Sequence, residues 1–245
     1  MPIANATQMP ANIQKRTVTV NSDQPPTSKW WWMGAMRSTR RRKPRYEITC
    51  ATTDRVSITG RPATQLLVLH QLGSHGPAYF RRYPPAFAHF TPACESDDLQ
   101  KCTREEIVNA YDNSLRYTDH VLSSLIATLQ RNEAEVDSAM IYVSDHGESL
   151  GERNLYLHGM PWLIAPKEQT QVPMVMWLSS GFERASGVDS ACLRRRAAEP
   201  ASHDHLFHTV LGLLDVKTAV YEPKWDLADG CRFGATSRIR ERAFP

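Results

Sequence analysis

Aspartate and histidine stand side by side in the run Ser144-Asp145-His146-Gly147-Glu148, and further histidines occur at His70, His75 and His158. A carboxylate next to an imidazole is a donor pair suited to a borderline-soft divalent ion such as zinc. His75 sits in a loop flanked by Gly73 and Gly76, and His158 is followed by Gly159. Gly147 and Gly151 allow the sharp turns that would let Asp145 and His146 face one crevice. A lone loop histidine more often lies on the surface or makes a hydrogen bond than holds a metal. Four histidines converging on one sheet edge make a metal site the stronger reading. Residue types alone stop there, naming a metal site and no reaction.

Those residues need strands to carry them. Gln65 to His70 is a short apolar run ending in a histidine, and Ala139 to Ser144 is a second run ending just before Asp145. Val172 to Leu178 is a third. In open parallel sheets ligands collect beyond the carboxyl ends of the strands, which is where both sets of candidate ligands fall. Thr103-Arg-Glu-Glu106 has the form of a capping box. Behind it Ile107, Tyr111, Leu115, Thr118, Leu122, Leu125 and Leu129 recur at helical spacing, predicting a long amphipathic helix. Asp204 to Leu214 predicts another helix. Strands alternating with helices imply an α/β protein with a mostly parallel sheet covered on both faces.

The chain has 245 residues, enough for one ordinary domain or a piece of a larger one. Its net charge of +3 hides an asymmetry, because residues 1–64 carry eleven Lys and Arg against three Asp and Glu. That segment holds Trp30 to Trp32 and a basic cluster from Arg37 to Arg45. It reads as a basic, disordered or poorly folded extension. The competing reading is an arm that touches a membrane surface or nucleic acid. The apolar runs are too short to cross a bilayer, and no signal peptide is evident in the first thirty residues.

Several long motifs resemble the lipid A phosphoethanolamine transferases, the family that includes transferable colistin-resistance enzymes. They are Leu69-His-Gln-Leu-Gly-Ser-His-Gly-Pro-Ala-Tyr79, Tyr111-Asp-Asn113, Tyr142-Val-Ser-Asp-His-Gly-Glu-Ser-Leu-Gly-Glu152 and Tyr156-Leu-His-Gly-Met-Pro161. Ala165-Pro-Lys-Glu-Gln169 and His205 to Leu214 continue the match, which runs over residues 65–232 and leaves 233–245 as a tail. The resemblance implies an alkaline phosphatase/sulfatase-like three-layer α/β/α sandwich, here incomplete. It implies a zinc-dependent transfer in which a threonine takes phosphoethanolamine from phosphatidylethanolamine and passes it to a lipid A phosphate. Asp145 and His146 would then be zinc ligands, while His75 and His158 would hold the phosphoryl group or an accessory zinc. His70 would support the site from behind. Cys94 and Cys102 correspond to a disulfide of the family, which places the catalytic domain in the periplasm beside the inner membrane. Cys50, Cys192 and Cys231 have no assignment, with Cys192 to Cys231 one unsupported option.

The chain also departs from the family pattern. Transmembrane helices, an acidic zinc ligand and the nucleophilic threonine are expected upstream of the histidine loop. Thr17, Thr19, Thr49, Thr52 and Thr53 all fall outside any matching motif, so the isolated chain is expected to lack turnover. A sulfatase or phosphatase of the same superfamily is the alternative reading. A non-enzymatic remnant with a basic arm is the third, and nucleic acid is not the favoured partner.

Overall fold

A computed structural model describes residues 64–233, together with the backbone of three short strands nearer the N-terminus. The expectations for the basic segment 1–64 and the tail 233–245 fall almost wholly outside the described residues. The strands are β1 (Thr17–Val18), β2 (Met33–Arg37), β3 (Glu47–Cys50), β4 (Gln65–Val68), β5 (Asp137–Val143), β6 (Ser149–Leu150), β7 (Tyr156–Leu157) and β8 (Met174–Leu178). Six of them form one sheet in the order β1-β3-β4-β2-β5-β8, and β6 with β7 forms a separate ribbon.

The sheet corrects one expectation. The sequence predicts a mostly parallel arrangement, yet among the described strands only β3 and β4 pair in parallel. β2 runs opposite to both β4 and β5, β8 opposite to β5, and β1 opposite to β3. An unbroken apolar run reports that a strand is covered on both faces; it carries no information about direction. Direction follows from the connections. β4 and β5 point the same way because the antiparallel β2 lies between them. β5 and β8 are direct neighbours that pair antiparallel.

The helices are α1 (Arg104–Arg131), α2 (Lys167–Thr170), α3 (Ser180–Ser186), α4 (Ser190–Arg196) and α5 (Asp204–Leu213). α1 begins where the sequence places it. Thr103 Oγ1 accepts from Glu106 N at 3.2 Å, and Glu106 Oε2 accepts from Thr103 N at 2.7 Å. Two otherwise orphaned amides are thereby satisfied. On one face of the sheet Leu66, Val68, Ala139 and Ile141 pack with Phe182, Val210 and Leu213. On the other, Met140 packs with Leu129 beside Leu122 and Leu125 of α1. The sheet is thus held from both sides, and the C-terminal end of β5 emerges into the loop region that carries the candidate ligands. Among the described residues no helix is long and apolar enough to cross a membrane.

Two disulfides tie down the periphery. Cys94–Cys102 closes a loop immediately before α1, and Cys192–Cys231 joins α4 to the turn at 229–231. Asn113, fully buried on α1, fixes the intervening loop with four hydrogen bonds. Its Oδ1 accepts from His89 N and Phe90 N at 2.8 and 2.9 Å, while Nδ2 donates to Phe90 O and Tyr83 Oη at 2.9 and 3.3 Å.

Candidate functional site

Three loops bring three imidazoles to one place. His75 follows β4, His146 follows β5 and His158 follows β7, and one ring nitrogen of each lies within 4.8 Å of the others. The rings of His146 and His158 stack with centroids 3.7 Å apart, and His75 meets the His158 ring edge-on at 4.8 Å. Asp145 is at the rim of this trio. Its Oδ1 accepts from the His146 amide at 3.0 Å, and its Oδ2 lies 3.8 Å from His146 Nε2. His70 is exposed and stands outside the trio.

The tautomers of two rings follow from their neighbours. His75 Nδ1 is 2.7 Å from the Gly76 carbonyl oxygen, and His146 Nδ1 is 3.0 Å from that of Gly147. A carbonyl only accepts, so in both neutral rings Nδ1 carries the proton and Nε2 is left with a lone pair. Neutral imidazoles with free Nε2 atoms, next to a carboxylate, can hold a divalent cation. Charged, the same rings can hold a phosphate.

Beneath the trio lies Glu148, whose side chain is only 4% exposed. Its Oε1 accepts from Gly76 N at 3.2 Å and lies 3.1 Å from His158 Nδ1, while its Oε2 accepts from the Tyr79 hydroxyl at 3.0 Å. Burial, and then the Glu148 charge, push the Tyr79 hydroxyl far above the ordinary phenol range. Tyr111, packed edge-on to Tyr79, is pushed up to about 12, first by burial and then by Glu148. Both phenols therefore remain protonated donors. The residues around the trio are braced from below as well: the Gly147 amide donates to Gln169 O at 3.0 Å, and Gln169 Nε2 donates to Ser149 Oγ at 2.9 Å. A Cβ at Gly147 would run into the carbonyl oxygen of Glu168, so α2 can approach only because residue 147 is glycine.

The segment carrying His158 is less conventional. Arg153, Asn154 and Leu157 have left-handed backbones with φ of 54, 59 and 63°. Beyond His158 a tight turn, closed by Ile164 N and Ala165 N both donating to Pro161 O, projects Trp162, Leu163 and Ile164 at 78%, 94% and 64% exposure. Residue types identify the histidines and Asp145 as candidates. They do not identify Glu148, Tyr79 and Gln169 as supports, since a glutamate near a loop histidine usually faces solvent. The one available clue is that Glu148 lies two positions beyond His146.

The family model described as Sulfatase matches residues 17–216. Phosphoethanolamine transferase EptA of Escherichia coli strain K12 is 46% identical over 168 residues, covering 68% of this chain and 31% of that protein. Phosphatidylethanolamine transferase Mcr-2 of Escherichia coli is 47% identical over 151 residues, 62% of this chain and 26% of that protein. The soluble domain of lipooligosaccharide phosphoethanolamine transferase A from Neisseria meningitidis superposes with a TM-score of 0.67 at 45% identity, covering 70% of this chain and 52% of that one. The chain thus spans roughly a third or less of the length of these curated relatives.

Proposed function

The chain belongs to the Sulfatase family, among its phosphoethanolamine transferases, and we propose that it holds the metal and phosphate side of a site that moves phosphoethanolamine from phosphatidylethanolamine to a lipid A phosphate. The observation that carries this reading is the convergence of His75, His146 and His158 beside Asp145. Asp145 and His146 would ligate zinc, and His75 and His158 would face the phosphoryl oxygens or an accessory zinc. With Zn–N bonds of ~2.0–2.1 Å, tetrahedral ligand atoms lie ~3.4 Å apart. One ring nitrogen of each of His75, His146 and His158 lies within 4.8 Å of the others, near that spacing. The donor set fits zinc.

When bound, the zinc neutralises charge on the transferring phosphoryl oxygens and lowers the effective pKa of a hydroxyl nucleophile. The family reaction would use a threonine that no matching motif of this chain supplies: its oxygen would bond to phosphorus as the bond to the diacylglycerol oxygen breaks, and an imidazole of the trio would take the threonine proton and return it to that leaving oxygen. In the second step an oxygen of the lipid A phosphate displaces the threonine oxygen. His75 and His158 orient the phosphoryl group through both steps.

On the same reading residues 65–232 form the C-terminal part of a three-layer α/β/α domain. The domain faces the periplasm next to a membrane that supplies both lipids. Cys94–Cys102 and Cys192–Cys231 suit that oxidising compartment.

Zinc content of the purified 245-residue chain tests the reading. The unaltered chain is expected to bind zinc weakly, since a catalytic zinc takes three protein ligands and only Asp145 and His146 are assigned, and the double variant Asp145→Ala, His146→Ala to bind none. Equal zinc in both would refute the ligand assignment. The isolated chain is expected to transfer no phosphoethanolamine to lipid A, and a modified lipid A in mass spectra would overturn that part. The Sulfatase family model also admits a hydrolase, which turnover of an aryl sulfate or aryl phosphate would reveal.

A further inference from the structure

The histidine trio is assembled from loops far apart in sequence, and one buried carboxylate touches two of those loops. Glu148 Oε1 accepts the amide of Gly76, the residue directly after His75, at 3.2 Å across 72 positions of sequence. The same oxygen lies 3.1 Å from His158 Nδ1. Its other oxygen takes the Tyr79 hydroxyl at 3.0 Å. The amide can only donate, and the Tyr79 hydroxyl stays protonated because burial and the Glu148 charge hold it so. Two of the three neighbours of this 4% exposed side chain are thus fixed donors, which suits a buried acceptor.

We propose that Glu148 is the positioning residue of the imidazole site: its Oε1 accepts the Nδ1 proton of His158 and so fixes Nε2 as the atom that His158 presents to the centre of the trio. His75 and His146 reach the same state through backbone carbonyls. His158 has the Glu148 carboxylate in that role instead. A side-chain acceptor at 3.1 Å can fix the ring's orientation and tautomer as the two backbone carbonyls do for theirs. Glu148 also pins the loop of His75 through Gly76, where there is no space for a side chain: a Cβ would lie 2.6 Å from the Leu157 and Tyr79 side chains. One carboxylate therefore sets both the tautomer of one ring and the placement of another. Glu148 touches neither substrate nor metal, and acts only through these rings. The inference rests on the branch of the proposed function in which His158 helps to hold a zinc, and deepens it.

Two measurements on the full chain test it. The first is the long-range proton–nitrogen NMR spectrum of the metal-free protein, at a pH well above the imidazole range. His158 is expected as the Nδ1–H tautomer, and Glu148→Gln to shift it toward Nε2–H. The Nε2–H form in the unaltered chain would overturn the proposal. The second is zinc affinity by competition with a chromophoric chelator. Glu148→Gln is expected to weaken binding by about 10- to 100-fold, the range for loss of an outer partner of a metal-ligating histidine. That loss should shrink in a His158→Ala background, where only the hold of Glu148 on the His75 loop through Gly76 is left to lose. Equal losses in both backgrounds would sink the idea. Tyr79→Phe disturbs the packing of Glu148 while leaving its contact with His158, so the tautomer should not move; a shift like that of Glu148→Gln would mean general loosening and count against the proposal. A chain with the expected tautomer that binds no zinc would refute the metal reading and leave the role of Glu148 standing.

Discussion

The rings of His146 and His158 lie face to face, with centroids 3.7 Å apart and planes inclined by 29°. One ring follows the central strand β5 and the other follows the marginal ribbon strand β7, so the stack joins the firmest part of the site to its least secured part. Packing and metal donation by His146 can be separated. His146→Phe keeps an aromatic face against His158 and removes the donor. Zinc affinity is expected to fall roughly a hundredfold or more, beyond what outer-partner changes produce, while the unfolding free energy moves by less than about 1 kcal/mol. Chelator competition and urea melts on the same preparation check both.

Gly147 is the point where α2 comes closest to the histidine loop. Gly147→Ala sets a Cβ against the Glu168 carbonyl oxygen, which is backbone and cannot swing aside. The expected effect is a destabilisation of about 1–3 kcal/mol, as for overpacking elsewhere. It should be accompanied by broadened His146 resonances, and an unchanged denaturant midpoint would contradict it.

Asn113 has all four of its amide hydrogen bonds filled inside the protein. Asn113→Asp keeps the two acceptances and loses both donations, leaving a carboxylate facing the Phe90 carbonyl. A cost of about 1–3 kcal/mol follows from the stranded acceptors. Thermal melts of the two proteins provide the check, and the loop at residues 84–90 should exchange its amides faster in the variant.

Tyr111 ties stability to alkaline pH. Its pKa rises from 10.0 to about 12 in the folded chain. Between those values the folded state keeps a proton that the unfolded state has lost. Stability is therefore fully present below about pH 10 and falls as pH rises toward 12, by at most about 1.4 kcal/mol per pH unit for this group. Tyr111→Phe should flatten that fall in denaturant midpoints taken across the window. Tyr79 is shifted in the same direction and should leave a residual slope.

The two disulfides differ in span, 8 residues for Cys94–Cys102 and 39 for Cys192–Cys231. Loop entropy assigns about 2.5 kcal/mol to the first and about 4 kcal/mol to the second. Replacing Cys192 and Cys231 by serine should thus lower the melting temperature more than the same change at Cys94 and Cys102. The reverse order would indicate strain or residual structure in the unfolded chain.

Local chemistry was the part most legible in the sequence. The capping box at Thr103 and Glu106, the spacing of apolar residues along α1, and the apolar run of β5 each report on neighbours within a few positions. The three histidines were recognisable because glycines flank them at the ends of such runs. Strand direction was not legible, since an apolar run looks the same whichever way its partner points and β2 comes from a segment with no clear pattern. Cys192–Cys231 left no local trace for the same reason. Glu148 was hidden differently. Its importance comes from burial under three donors contributed by loops that meet only after folding, and no spacing rule encodes that meeting.

β6 and β7 share only the pairs Ser149↔Leu157 and Leu150↔Tyr156. So short a ribbon frays more readily than a strand held on both edges, and Leu157 adds a left-handed backbone that a leucine adopts at some expense. Fraying there would withdraw a single imidazole while its two companions stayed fixed. The pocket would then breathe from one side only, admitting and releasing its contents past His158, and deuterium should reach the amide of Leu157 well before those of β5.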